Sequence, residues 1–140
     1  MFNQPIRDLM ERKNFLTALP GTTVSSAARL MAERKVGAVM VVENEQLLGI
    51  FTERDAVFRV LALGRDPEAT RLTDVMTPEP KTMDPDKTYG HALLMMQENG
   101  FRHVPVIEGG RPVGIVSSRN ALDPDLEEFT SEERRREHLR

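Results

Sequence analysis

The stretch Gly49-Ile50-Phe51-Thr52-Glu53-Arg54-Asp55 returns in outline as Gly114-Ile115-Val116-Ser117-Ser118-Arg119-Asn120, at an offset of 65 residues (114 − 49). The same offset aligns Thr23 with Thr88, Ala27 with Ala92, Met31 with Met96, Glu33 with Glu98, Val39 with Val104, Val41 with Val106 and Ala56 with Ala121. Identities held in one register without a gap make the chain two copies of one unit. One copy is too small to bury its own apolar faces. Two copies packed sheet to sheet, as a pseudo-twofold pair, are expected to share a core.

The unit reads as an extended segment, a helix, two strands and a second helix. In the first copy residues 6–10 suit a short helical turn after Pro5, and residues 13–17 a connection or short strand. Thr22 or Thr23 caps a helix whose apolar positions, Val24, Ala27, Ala28 and Met31, follow the i, i+3, i+4, i+7 spacing, and Gly37 is expected to end it. Residues 38–42 form a continuous apolar run rich in β-branched side chains, hence a buried strand. A turn over residues 43–46 returns the chain as a second, antiparallel strand over residues 47–51. The helix after Thr52 places Val57, Val60 and Leu61 on one stripe, with Gly64 at its C-terminal cap.

The second copy restates this. Asp74-Val75-Met76 echoes Asp8-Leu9-Met10, and Tyr89, Ala92, Leu93 and Met96 repeat the helix stripe, which Gly100 ends. Residues 103–107 repeat the buried strand, where Pro105 lacks a backbone donor and so belongs on an edge or at an unpaired position. The tail departs from the repeat. Leu122, Leu126 and Phe129 are spaced i, i+4, i+7, and Glu132 and Arg136 can pair at i, i+4, so the tail reads as a frayed, solvated helix end or, through Leu126 and Phe129, as a dimer contact.

Thr52 falls where a strand passes into a helix, a position that favours Ser and Thr because their oxygen accepts an orphan backbone N–H. Such an end suits a phosphate. Asp55, about one turn on, projects to the same side, and a carboxylate accepts from two neighbouring hydroxyls as a ribose presents them. An ordinary capped helix with a first-turn acid explains one such segment, and the repetition is what favours a nucleotide site.

Composition excludes more than it assigns. At 140 residues, 39% apolar and 29% charged, the chain has the balance of one globular domain. A net charge of −3 supplies no general attraction to nucleic acid or anionic membrane, and one Tyr with no Trp gives no stacking platform for single strands. The absence of Cys removes disulfides, thiolate metal sites and thiol catalysis. No apolar run reaches a membrane span and the N-terminus has no signal-type segment, so a cytoplasmic protein is expected. There is no Walker loop or Gly-x-Ser-x-Gly elbow, and His91, His103 and His138 are scattered without metal-ligand spacing. The expectation is therefore a protein that is not an enzyme and holds no metal or catalytic cofactor.

Taken together, the repeated unit, Val36-Gly37-Ala38-Val39-Met40-Val41-Val42, Phe101-Arg102-His103-Val104-Pro105-Val106 and the two Gly-x-x-Thr/Ser-x-x-Asp-type segments resemble a tandem pair of cystathionine-β-synthase (CBS) domains, the Bateman module. The resemblance covers roughly residues 5 to 124. It implies an α/β fold of two pseudo-symmetric repeats, with small sheets packed together and flanking helices. It divides the single 1–140 module into a first repeat over 5–65, a second over 66–124 and a charged helical tail over 125–140.

The resemblance also implies clefts between the halves for adenosine-containing ligands: AMP, ADP, ATP, NAD(H) or S-adenosylmethionine, with AMP, ATP and NAD(H) foremost. By position the first cleft takes Leu16, Thr17, Gly37, Ala38, Val39, Thr52, Arg54 and Asp55. The second takes Lys81, Thr82, Arg102, His103, Val104, Pro105, Ser117, Arg119 and Asn120. Thr52 and Ser117 would meet phosphate, Arg54 and Arg119 are its natural partners, and Asp55 and Asn120 would meet ribose. Asn120 departs from the acidic pattern, and neutral hydrogen bonds contribute about 1 kcal/mol against about 1.5–3 for charged ones, so the second cleft is expected to be the weaker. Adenine is expected to be read by strand backbone at Val39 or Val104, which would disfavour guanine. The expected function is a nucleotide-sensing regulatory module, homodimeric, acting in trans on a protein partner. The alternative is a dimeric interaction scaffold with no physiological ligand.

Overall fold

The computed structural model describes residues 2–10, 15–121, 129 and 132–137. Leu122 and Leu126, the first two members of the apolar tail stripe, lie outside the described residues.

The first copy builds the whole unit legible in its sequence, and the second builds its helix and hairpin, with a 3₁₀ turn where the last helix was expected to begin. In the first, β1 (Leu16–Ala18) leads to α1 (Val24–Arg34), then to the hairpin β2 (Ala38–Glu43) and β3 (Gln46–Thr52), then to α2 (Glu53–Asp55), which continues as a π-helical stretch over Ala56–Leu61. Next come α3 (Leu72–Val75) and β4 (Thr77–Pro78). The second copy has α4 (Tyr89–Asn99), the hairpin β5 (His103–Glu108) and β6 (Arg111–Ser117), and a 3₁₀ turn over Ser118–Ala121. Thr23 and Thr88 cap α1 and α4, their side chains accepting from Ser26 N–H and His91 N–H. Both hairpins close on two residues of positive φ, Asn44-Glu45 and Gly109-Gly110, which match the strand twist. Both also carry a register shift at the same place, after Val41 and after Val106.

The first sheet has the order β1-β2-β3-β4, with β1 parallel to β2 and the rest antiparallel. The second is the β5-β6 hairpin, to which Met83 adds a parallel bridge at Val106. That bridge repeats the Ala18–Val41 pairing of the first copy. Pro105 lies in this two-stranded sheet, where its missing donor costs no interior ladder bond.

Each copy's core is completed by a segment that belongs, in sequence, to the other. Leu72 and Val75 pack into the first core with Val24, Ala27, Met31, Val39, Val41 and Phe51. Ile6 packs into the second core with Met83, Tyr89, Ala92, Met96, Val104, Val106 and Val116. The backbone bonds are reciprocal: Ile6 N–H donates to Lys87 C=O at 2.8 Å, and Leu72 N–H to Thr22 C=O at 2.9 Å. Likewise Tyr89 N–H reaches Gln4 C=O, and Val24 N–H reaches Thr70 C=O. Arg7 adds ion pairs to Asp86 and Glu108. A small third cluster, Ala38, Ile50 and Ile115 with Phe15 against it, forms the seam between the sheets.

Four local expectations are corrected. Gly37 does not end α1; Lys35 does, in the left-handed region at φ 56°. In α1 the buried stripe is Val24, Ala27 and Met31, and Ala28 is exposed, because the face toward the sheet is narrower than the apolar spacing allows. Of the stripe after Thr52 only Val60 is buried, while Val57 and Leu61 face outward. The i→i+5 turns there, such as Ala62 N–H to Val57 C=O, are wider than 3.6 residues and rotate that stripe off the core. In the tail, Arg136 pairs with Glu133 at 3.2 Å instead of Glu132, and Phe129 is exposed.

Because Ile6 is fully buried in the other copy's core, Ile6→Ala is expected to cost about 2–5 kcal/mol. The urea midpoint should fall with the slope unchanged. A loss below about 1 kcal/mol would mean that the N-terminal segment is merely tethered there.

Candidate functional site

One cleft, of ≈ 280 Å³, opens along the seam. That is close to the lower end of the about 300–1,000 Å³ of small-ligand sites. Its walls come from both copies. Phe15, Arg34, Lys35, Val36, Gly37 and Ala38 come from the first, and His103, Ile115, Ser117, Arg119 and Asn120 from the second.

Local sequence explains the opening. Gly37 and Ala38 present almost no side chain at the entry to β2. A Cβ on Gly37 would lie 2.6 Å from Glu53 Oε1, the end of a side chain that can turn away, and 3.3 Å from the His103 ring, a tight contact across the seam that glycine avoids. Phe15, Val36, Ala38 and Ile115 make an apolar floor. At one end Ser117 N–H donates to Asn120 Oδ1 at 2.7 Å and Ser117 Oγ at 3.3 Å. A backbone N–H can only donate, so the amide orientation is fixed and the NH₂ group supplies Asn120's donors. Tyr89, fully buried, donates its hydroxyl to Ser117 C=O at 2.7 Å and anchors that end to α4. Burial pushes the His103 imidazole below the usual histidine value, with Glu53 pulling the other way, so the neutral ring dominates at neutral pH. The rim carries the cations Arg34, Lys35 and Arg119, and no Asp or Glu is among the lining residues.

The pseudo-symmetric position, around Thr52, Arg54 and Asp55, is occupied by the chain's own groups. Arg102 stands where the open cleft has Gly37. Thr52 and Asp55 form a capping box, with Thr52 N–H on Asp55 Oδ2 at 3.0 Å. The other carboxylate oxygen receives Arg59 Nε and Thr77 Oγ1, each at 3.5 Å. Arg59 is held in turn by Met76 C=O at 3.0 Å. Arg54 donates to Gly100 C=O at 3.1 Å and lies 5.3 Å from the Phe58 ring centroid.

The structure thus brings Gly37 and Ala38 from one expected set together with His103, Ser117, Arg119 and Asn120 from the other. Thr52, Arg54 and Asp55 lie apart from that cleft. Leu16, Val39 and Val104 are core residues, Pro105 is buried, and Thr17, Lys81, Thr82 and Arg102 are exposed outside the cleft lining. Val39 pairs with Leu16 on one side and Phe51 on the other, so its backbone groups serve the sheet and not a base edge. Sequence reasoning missed Phe15, Arg34, Lys35, Val36 and Ile115. The usable signal was the break in the repeat, where Arg34-Lys35 stands against Asn99-Gly100. Among the described residues no cluster of His, Cys, Asp and Glu could hold a metal, and no helix is long and apolar enough to cross a membrane.

Comparison with known proteins fits this architecture. The sequence model of the CBS domain matches twice, at residues 6–62 and 72–125. The CBS domain-containing protein CBSX3, mitochondrial, of Arabidopsis thaliana is 33% identical over 138 residues, covering 91% of this chain and 67% of that protein. CBSCBSPB2 of the same plant is 40% identical over 108 residues, which span 76% of this chain and only 20% of that much longer protein. Among solved structures, an uncharacterized conserved protein from Pyrococcus horikoshii superposes with TM-score 0.82 at 28% identity, covering 89% of this chain and 94% of that one. The CBS domain pair of protein MJ0100, solved with 5′-methylthioadenosine and S-adenosyl-L-methionine, superposes with TM-score 0.77 at 23% identity, over 84% of this chain and 96% of that one.

Proposed function

The chain belongs to the CBS domain family, with the domain present twice, and from that premise we propose that it is a regulatory module binding one phosphate-bearing adenosine ligand in the seam cleft. The ligand is of the AMP, ADP, ATP or NAD(H) class, and a partner protein reads its occupancy. The observation that carries this reading is the cleft's division of labour. An apolar floor from Phe15, Val36, Ala38 and Ile115 suits a base, Ser117 and Asn120 suit a ribose, and Arg34, Lys35 and Arg119 suit phosphate. MJ0100, a match of fold, holds adenosine compounds without phosphate. The cationic rim here favours anionic ligands and disfavours the sulfonium of S-adenosylmethionine.

The reading reverses the expected order of the two clefts. Asp55 already has partners on both oxygens, and a ribose there would have to displace Arg59 and Thr77. Asn120 offers its NH₂ donors to a ribose oxygen instead of a carboxylate's acceptors. With AMP or ATP at a hundredfold excess over Kd, native stability should rise by about 2.7 kcal/mol, a clear upward shift in Tm that GMP does not reproduce. Asn120→Ala should weaken binding about fivefold, the loss of a neutral hydrogen bond, while Asp55→Ala leaves it within a factor of about two. The opposite pattern would move the site to the Asp55 side, and no nucleotide shift at all would favour the scaffold.

The module is also read as a homodimer, through a surface other than the tail. Val57, Phe58, Leu61 and Leu63 are 48–68% exposed on and just beyond the π-helical stretch. Large apolar side chains left exposed within one short segment suit an interaction surface. Light scattering at about 50 μM, ample for a Kd near 1 μM, should give a dimer. The Phe58→Glu, Leu61→Glu double variant should be monomeric with little change in Tm. A monomeric parent, or a dimeric variant, contradicts this assignment.

A further inference from the structure

Lys35 stands against its own backbone. It holds φ 56° and ψ 43° at the end of α1, a left-handed conformation that disfavours any residue with a Cβ and suits glycine. Its counterpart one repeat later is Gly100, at φ 72° and ψ 25°, which shows what the same backbone takes when nothing else is asked of it. A residue kept in a disfavoured conformation at a site's edge points to a role there.

The surroundings give that role a chemistry. Lys35 lines the seam cleft with Arg34 and Arg119. Among the described residues, none of the three forms an ion pair. Glu53, an acid beside the cleft, lies against Gly37 and acts on His103. On the pseudo-symmetric side Asn99 and Gly100 replace Arg34 and Lys35, and the cations present there are engaged, Arg54 with Gly100 C=O and Arg59 with Asp55 and Met76 C=O. Arg119 is close in sequence to the Ser117–Asn120 turn, whereas Arg34 and Lys35 come from the opposite copy and close the rim from the other side.

We propose that Lys35, with Arg34, reads the length of the ligand's phosphate chain: the pair binds phosphates beyond the first and so makes the cleft selective for ATP over AMP. This rests on the nucleotide reading of the same cleft. An ammonium on a flexible stem, with three donors, follows a terminal phosphate without fixed geometry. Each added phosphate increases the charge that the rim can neutralise, while the base and ribose contacts stay the same.

The test is Lys35→Gly, the residue of the second copy, beside Lys35→Arg, with AMP and ATP affinities from equilibrium dialysis at low and moderate salt. Lys35→Gly should fold with an equal or higher Tm, because it relieves the backbone. It should lose ATP affinity by about tenfold, several times more than it loses AMP affinity, and show a shallower salt dependence for ATP. Lys35→Arg should retain ATP affinity. The inference is overturned if Lys35→Gly binds ATP as the parent does, or if AMP and ATP affinities fall together. In either case AMP binding by the parent leaves the cleft reading standing. A parent that binds neither nucleotide removes both.

Discussion

The reciprocal exchange of lead-in segments is the contact on which the rest of the structure depends. Neither repeat closes its core with its own residues: the first needs Leu72 and Val75, the second needs Ile6. The matching backbone bonds, Ile6 to Lys87 and Leu72 to Thr22, tie each lead-in to the start of the other copy's helix. Two half-cores that can be finished only by each other fold as one unit. The direct seam between the sheets can then be small, just Ala38, Ile50 and Ile115 with Phe15. A small seam leaves space beside it, and the open cleft lies in that space.

The backbone keeps the pseudo-twofold relation, and the side chains break it where function is concerned. Gly37 faces Arg102 across the relation, Ala38 faces His103, and Val24 faces Tyr89. Gly37 leaves room at the seam beside Ala38 and His103, whereas its counterpart Arg102 is exposed outside the cleft lining. Tyr89 anchors Ser117 in the second copy, and no such hydroxyl exists at Val24. In the first copy Arg59 and Thr77 occupy the Asp55 carboxylate. The acid that looks best suited to a ribose is thus the one already engaged, and the amide that looks like a weakened copy lines the open cleft.

Much of this fold was legible because local rules sufficed. Thr23 and Thr88 at caps, the apolar runs of β2 and β5, and the two-residue hairpins were each specified by neighbours in sequence. The exchange of lead-ins was not legible, because an apolar Ile6 or Leu72 states that it must be buried and not against which copy. Those segments also repeat at 66 residues (72 − 6), one out of the main register. The clefts were expected between the halves, but each residue set was drawn from one repeat, whereas the open cleft takes its walls from both, since the pseudo-twofold axis brings the entry to β2 against the exit of β6. Periodicity also failed after Thr52: a 3.6-residue stripe through Val57 and Leu61 has no meaning in a π-helical stretch. Lys35 was visible in the sequence only as one more charge on a wet helix end; its left-handed backbone gives it significance.

Symmetry in the backbone with asymmetry at the ligand is most directly tested by counting. Isothermal titration of the unaltered protein with ATP measures stoichiometry per chain independently of any variant. One ATP per chain is the expected result, with the Asp55 side remaining closed by Arg59, Thr77 and Arg54. Two equivalent ATP molecules per chain would contradict it, because the second could enter only by displacing those contacts.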